Sequence, residues 1–165
     1  MWAVEHDCNR GYTTVFYPLP REPSNPRVAV WRKLERLGVA RLGDGLVALP
    51  ADARTREQLD WLAEEILEAD GVATVWLATP GSAAQERATA ETMRAGRAAE
   101  CQAVTEQARA AGAGDVAERA RVLRRLRGEL RRIGRRDFFP PAEREAARAA
   151  VDALAGAPTV GKEGS

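Results

Sequence analysis

Asp44-Gly45 lies between two short apolar runs, Val39-Ala40-Arg41-Leu42 and Leu46-Val47-Ala48-Leu49, with Pro50 directly after the second. Asp-Gly in that setting is a strong hairpin signal, because a tight turn needs a residue that accepts positive φ. Amphipathic helices are expected on either side of the hairpin. Upstream, Pro26 suits a first helical turn capped by Ser24 or Asn25. Val30, Leu34 and Leu37 recur at i, i+4 and i+7, flanked by Trp31, and Gly38 stands where a left-handed terminal residue belongs. Downstream, Thr55-Arg56-Glu57-Gln58 reads as a capping box, Leu59, Leu62, Ala63, Ile66 and Leu67 as the apolar stripe, and Asp70-Gly71 as the stop. Thr13-Thr14-Val15-Phe16-Tyr17 and Val72-Ala73-Thr74-Val75-Trp76-Leu77 are β-branched and aromatic, so both read as strands. Prolines close them, at Pro18-Leu19-Pro20 and Pro80-Gly81.

The resulting order, β-α-β-β-α-β, is the ferredoxin-like pattern. It predicts a four-stranded antiparallel sheet with both helices on one face. The other face then needs cover, since a bare apolar face is adhesive. The second half of the chain, or a second copy, is expected to supply it. From Ser82 onward the sequence is rich in Ala, Arg and Glu and reads helical as far as a break at 112–114. Asp115 is placed to cap the next helix, in which Leu123, Leu126, Leu130 and Ile133 repeat at the 3-4-3 spacing of a helical seam. Phe138-Phe139-Pro140-Pro141 makes a turn with two large apolar anchors, and a last helix is expected from Ala142 to Ala155. The fold class is therefore α+β. The expected division is a flexible tail over 1–11, a ferredoxin-like domain over 12–80, an Arg/Ala-rich helical hairpin or extension packed on it over 81–156, and a disordered tail over 157–165.

Composition narrows the function classes. The 25 basic and 24 acidic residues leave a formal net charge of +1, so the total charge points to no partner. The distribution is more informative: residues 119–136 hold nine arginines and one acid, Glu129. The cysteines, Cys8 and Cys101, and the single histidine, His6, match no zinc spacing, and the two cysteines read as free thiols in a reducing compartment. No signal peptide and no apolar run of membrane-spanning length is seen, and the expected location is cytoplasmic.

Several segments resemble a known family. They are Tyr17-x-Leu19-Pro20, Pro23-Ser24-x-x-Arg27-Val28-x-x-Trp31-Arg32-x-Leu34, Leu37-Gly38, Asp44-Gly45, Leu49-Pro50, Leu59-x-Trp61-Leu62-Ala63-x-Glu65-Ile66 and Arg136-Asp137-Phe138-Phe139. Together they resemble the N-terminal domain of ChrB-type chromate-resistance proteins. The resemblance implies a regulatory role, since full-length members act as chromate-responsive transcriptional regulators beside a chromate efflux transporter. Those members carry a second, C-terminal domain, and the expectation here is a stand-alone copy of the first.

Candidate contacts with DNA or an anion are Arg27, Arg32, Lys33 and Arg36 on the first helix, and Arg124, Arg125, Arg131, Arg132, Arg135 and Arg136 on the second-half helix. Arg27 is favoured because a first helical turn already presents unpaired N–H groups to anions. The competing reading is that both sets are solvated helix faces. Trp31, Trp61 and Trp76 are expected to be core or interface anchors, and Asp44 a turn residue only. The expected partners are operator DNA, chromate or another oxyanion, and a second copy of the chain. The alternative is a dimeric interaction module that binds no DNA. A metal-dependent nuclease is the weakest reading: the small CRISPR-associated nuclease of this strand order has a metal-binding aspartate after its first strand, where this chain has Tyr17-Pro18-Leu19-Pro20. No dinucleotide fingerprint is present, and no nucleophile–base pair beyond His6 and Cys8 in the tail, so neither catalysis, cofactor nor metal is expected.

Overall fold

A computed structural model describes residues 11–18 and 24–156. The residues expected to form the two tails lie outside that range, with His6 and Cys8 among them; the exception is Gly11, whose carbonyl accepts the Ala51 N–H at 2.9 Å. The elements are β1 (Tyr12–Phe16), α1 (Ser24–Leu37), β2 (Ala40–Gly43), β3 (Leu46–Pro50), α2 (Ala53–Glu68), β4 (Thr74–Ala78), α3 (Ala83–Ala111), α4 (Val116–Arg135) and α5 (Glu143–Gly156). The chain divides into two compact units, residues 1–93 and 94–165, and the division falls inside α3.

The first unit is built on one antiparallel sheet in the order β2-β3-β1-β4. Register sets its faces. Thr13 and Val15 lie opposite Leu49 and Val47 on one side and Leu77 and Val75 on the other. Thr13, Val15, Val47 and Leu49 are fully buried. The dry stripe of α2, Leu59, Leu62, Ala63 and Ile66, is buried as well, and the helix packs on β1 and β4. Lys33 of α1 is ion-paired with Glu65 of α2, which ties the helices together. Tyr12, Thr14 and Ala48 belong to the opposite face, and Gln85 and Thr89 from the first turns of α3 join them in lining a cavity of about 90 Å³. The opening turns of α3 therefore cover part of that face.

Local chemistry departs from expectation at the start of α2. The cap is Asp52 and not Thr55: Asp52 Oδ1 accepts the Thr55 N–H at 2.7 Å, and Thr55 Oγ1 accepts the Asp52 N–H at 3.0 Å. Thr55 thus fills the third helical position of the box, fully buried, and its hydroxyl also donates to the Pro50 carbonyl at 2.6 Å. A short acid is the stronger cap, so the box takes Asp52 at its head and Thr55 at its third position. At the C-terminus Asp70-Gly71 ends the helix as expected, with Asp70 as the left-handed residue, φ 57°. Gly71 N–H donates to Ile66 O at 2.8 Å and Asp70 N–H to Leu67 O at 3.1 Å, the paired bonds of a Schellman closure. Gly71 is needed for another reason: a Cβ there would sit 2.7 Å from the Ile66 carbonyl oxygen. Strand β4 begins two residues later than expected, at Thr74. In the hairpin, positive φ falls on Gly45 (72°), and the register shifts between Arg41 and Gly43, so β2 carries a bulge.

The second unit has its own core of Cys101, Val104 and Ala108 from α3, Leu126 and Ile133 from α4, and Ala147, Val151 and Leu154 from α5. Leu123 and Leu130 pack against it half-buried. The seam exists, but its partners come from two helices and not one. Asp115 caps α4 as expected, accepting the Glu118 N–H at 2.8 Å.

Candidate anion-binding surfaces

The first candidate lies in the N-terminal unit, where the end of β1, the first turns of α1 and the β2–β3 hairpin meet. A cavity of about 430 Å³ is lined there by Phe16, Tyr17, Arg27, Trp31, Arg41 and Asp44, among others. Local structure fixes each group. Tyr17 N–H donates to the Gly45 carbonyl at 2.7 Å, and a Cβ at Gly45 would come within 2.9 Å of the Tyr17 carbonyl oxygen. Glycine at that position lets the hairpin tip close against β1. Arg27 follows Pro26 in the first turn of α1 and reaches Asp44 Oδ1 at 2.8 Å. Arg41 approaches the same oxygen at 3.5 Å and lies 5.3 Å from the centre of the Trp31 ring, a cation–π arrangement. Burial pushes the Tyr17 phenol up from its ordinary value, against the pull of Arg41 and Arg27, so it remains a neutral hydroxyl.

Asp44 is therefore more than a turn residue: its carboxylate occupies the convergence point of two guanidinium groups. Arg41 was missed in the sequence because it sits inside a short strand, where alternation suggests a solvent-facing side chain and nothing else. The pocket gathers Arg27 but not the rest of the α1 set. Arg32 and Arg36 are exposed without an ion pair among the described residues, and Lys33 is held by Glu65. Trp31 is half-buried, whereas Trp61 and Trp76 are 64% and 62% exposed and are not core residues.

The second candidate is the outer face of α4. At 3.6 residues per turn, Val122, Leu123, Leu126, Leu130 and Ile133 share one side, and Arg121, Arg124, Arg127, Arg131 and Arg135 share the other. All five arginines are exposed. Among the described residues no acid pairs with Arg121, Arg124, Arg127 or Arg131. The stripe spans roughly 21 Å of helix at 1.5 Å per residue. The remaining sequence candidates are engaged. Arg125 donates to Gln107 at 2.6 Å, Arg132 is paired with Glu129, and Arg136, largely buried, donates to Glu100 at 2.9 Å. Arg135 has an interaction partner of its own. Arg121 and Arg127 complete the row. Their signal was already in the sequence, as the i±3 neighbours of Arg124 and, for Arg127, the i−4 neighbour of Arg131.

Among the described residues no group of three or more His, Cys, Asp or Glu side chains is arranged to hold a metal ion. No described helix is long and apolar enough to cross a membrane.

The family model described as Protein ChrB, N-terminal, matches residues 27–158. This chain belongs to that family. Membership implies a chromate-resistance-associated regulatory protein. The match takes in α1 from Arg27 onward, the hairpin with Asp44, and the whole of α4. Neither the curated proteins nor the solved structures include a match to this chain.

Proposed function

We propose that this chain is a transcriptional regulator of chromate resistance that holds DNA through the phosphate backbone, with the α4 arginine row as its contact surface. The observation that carries the reading is the set of exposed guanidinium groups at Arg121, Arg124, Arg127 and Arg131, which no acid among the described residues neutralises. Cations in a row attract a polyanion and release its counterions, which makes binding salt-dependent and only weakly sequence-dependent. A cytoplasmic location goes with this role. The ferredoxin-like reading of the first unit goes with it too, supported by the strand order 2-3-1-4 and the two helical crossovers.

A second reading is favoured by the pocket. Arg27 and Arg41 converge on one oxygen of an exposed carboxylate, and an oxyanion such as chromate would compete with Asp44 for the same donors. In this reading the pocket is the sensor and α4 the effector.

Titrating a labelled duplex from the promoter beside the gene, at two salt concentrations, tests the first reading. Binding should weaken steeply with salt. Arg124→Ala and Arg131→Ala should each lower the slope of log K against log salt by about 0.9. Absence of binding at low salt would leave a DNA-independent interaction module in its place.

A further inference from the structure

The longest uncharged stretch of the sequence runs from Gly71 to Gln85, fifteen residues in a chain that is 30% charged. Such a stretch normally belongs to a core. Here it contains β4, which among the described residues is an edge strand paired on one side only, with β1. Thr74, Trp76, Leu77 and Ala78 are all exposed. Trp76 and Leu77 are 62% and 66% exposed, and Val72 and Leu67 are more than half exposed.

An open edge presents a row of backbone donors and acceptors that templates another strand, and proteins that stay monomeric guard it with charge, proline or a bulge. The opposite edge of this sheet is guarded. Strand β2 holds Arg41, ends in Gly43 and is bulged between them. Strand β4 has no charge, no proline and an unbroken register with β1 over all five residues. Its large side chain is also ordered in advance: the Trp76 indole N–H donates to Thr74 Oγ1 at 3.0 Å, which lays the ring along the strand.

We infer that β4 is a self-association edge. Two copies pair through it, antiparallel about a two-fold axis at Trp76, and two four-stranded sheets join into one of eight. The strand fits itself when read in the reverse direction. Trp76 meets its own counterpart, Val75 meets Leu77, and Thr74 meets Ala78, so no charge is placed against another and the small residues flank the large one. A two-fold closes the assembly and leaves no further open edge of this kind. Size is consistent. The exposed part of the Trp76 ring offers roughly 150 Å². Leu77, Val72, Leu67 and the strand backbone extend the patch toward the roughly 600 Å² per partner of the smaller specific interfaces. The inference is independent of any anion bound elsewhere on the chain.

The mass of the full chain by analytical ultracentrifugation, over a wide concentration range, tests it. Wild type should weigh two chains, and Leu77→Lys and Trp76→Lys should each weigh one with unchanged far-UV circular dichroism. A wild type of single-chain mass at every concentration overturns the inference, and so does a folded Leu77→Lys protein that stays dimeric. Should the lysine variants unfold, a Thr74→Cys/Ala78→Cys chain decides. The two cysteines are about 13 Å apart within one strand and cannot bridge there. Oxidation should link two chains if β4 pairs with itself, and absence of that link overturns the proposal.

Discussion

The Arg144 guanidinium donates to Oδ2 of Asp137 at 3.2 Å, while the Asp137 side chain is wholly buried and its Oδ1 has no hydrogen-bond partner among the described residues. Burial raises this carboxyl above its ordinary value of 3.8, and the opposing pull of Arg144, Arg97 and Arg148 does not restore it. The Cys101 thiol next to it is pushed up as well, by its own burial and then by the charges of Asp137 and Glu100. A raised pKa means the folded protein holds the proton more tightly than the unfolded chain. The stabilisation is complete below the ordinary value and is lost as pH rises through the raised one. Asp137→Asn removes the titration. The melting temperature of wild type, relative to that of the variant, should therefore fall as pH is raised from about 4 toward neutrality. A difference that stays flat over that range would show that Asp137 titrates as it does in the unfolded chain.

Asp70 spends its place in the α2 closure in the left-handed region, where a Cβ is strained. Asp70→Gly relieves that strain while leaving both Schellman bonds intact. It should raise stability by up to about 1 kcal/mol in urea titration, with glycine's greater freedom in the unfolded chain taking back part of the gain. The opposite test lies at the other end of the helix. Asp52→Ala removes the side chain that accepts the Thr55 N–H and should cost about 1 kcal/mol.

Those two ends also show what the sequence could reveal. The periods of α1, α2 and α4 were legible because each needs an apolar stripe, and 3.6-residue spacing records it directly. The Asp-Gly turn was legible because only glycine takes the required φ without strain. Which of Asp52 and Thr55 caps α2 was not legible, since the choice depends on a third group, the Pro50 carbonyl, that only the fold brings near. The same limit applied to the pocket. Arg27, Arg41 and Asp44 lie on different elements, and no spacing rule links a helix N-terminus to a hairpin tip. The α4 row, confined to one helix, was visible in outline. Which of its arginines remain unpaired depended on the acids of α3, such as Glu100, that fold against it.

The ion pairs at Asp44 set up a separate expectation. Asp44 is 67% exposed and Arg27 37%, so the pair is solvent-screened and contributes little to stability. Asp44→Asn should leave the melting temperature nearly unchanged while freeing both guanidinium groups. Chromate or sulfate binding, followed by calorimetry, should then tighten relative to wild type. Arg27→Ala should weaken it, again with little loss of stability. A variant at Arg27 that unfolds would make that residue structural and remove the pocket from consideration as an anion site.

The two kinds of leucine in the α4 seam predict unequal costs. Leu126 is fully buried among Cys101, Val104, Ala147 and Val151, whereas Leu123 is only half-buried against the same cluster. Truncating Leu126 to alanine removes its apolar contacts and leaves a cavity that three packed helices cannot fill, a loss of about 3 kcal/mol. Leu123→Ala opens toward solvent, so water replaces the missing methyl groups and the loss should be about 1 kcal/mol. Urea denaturation of both variants, monitored by helical circular dichroism, measures the difference. Equal losses would mean that Leu123 is as enclosed as Leu126, and that the α4 face beside the arginine row is covered by something other than α3 and α5.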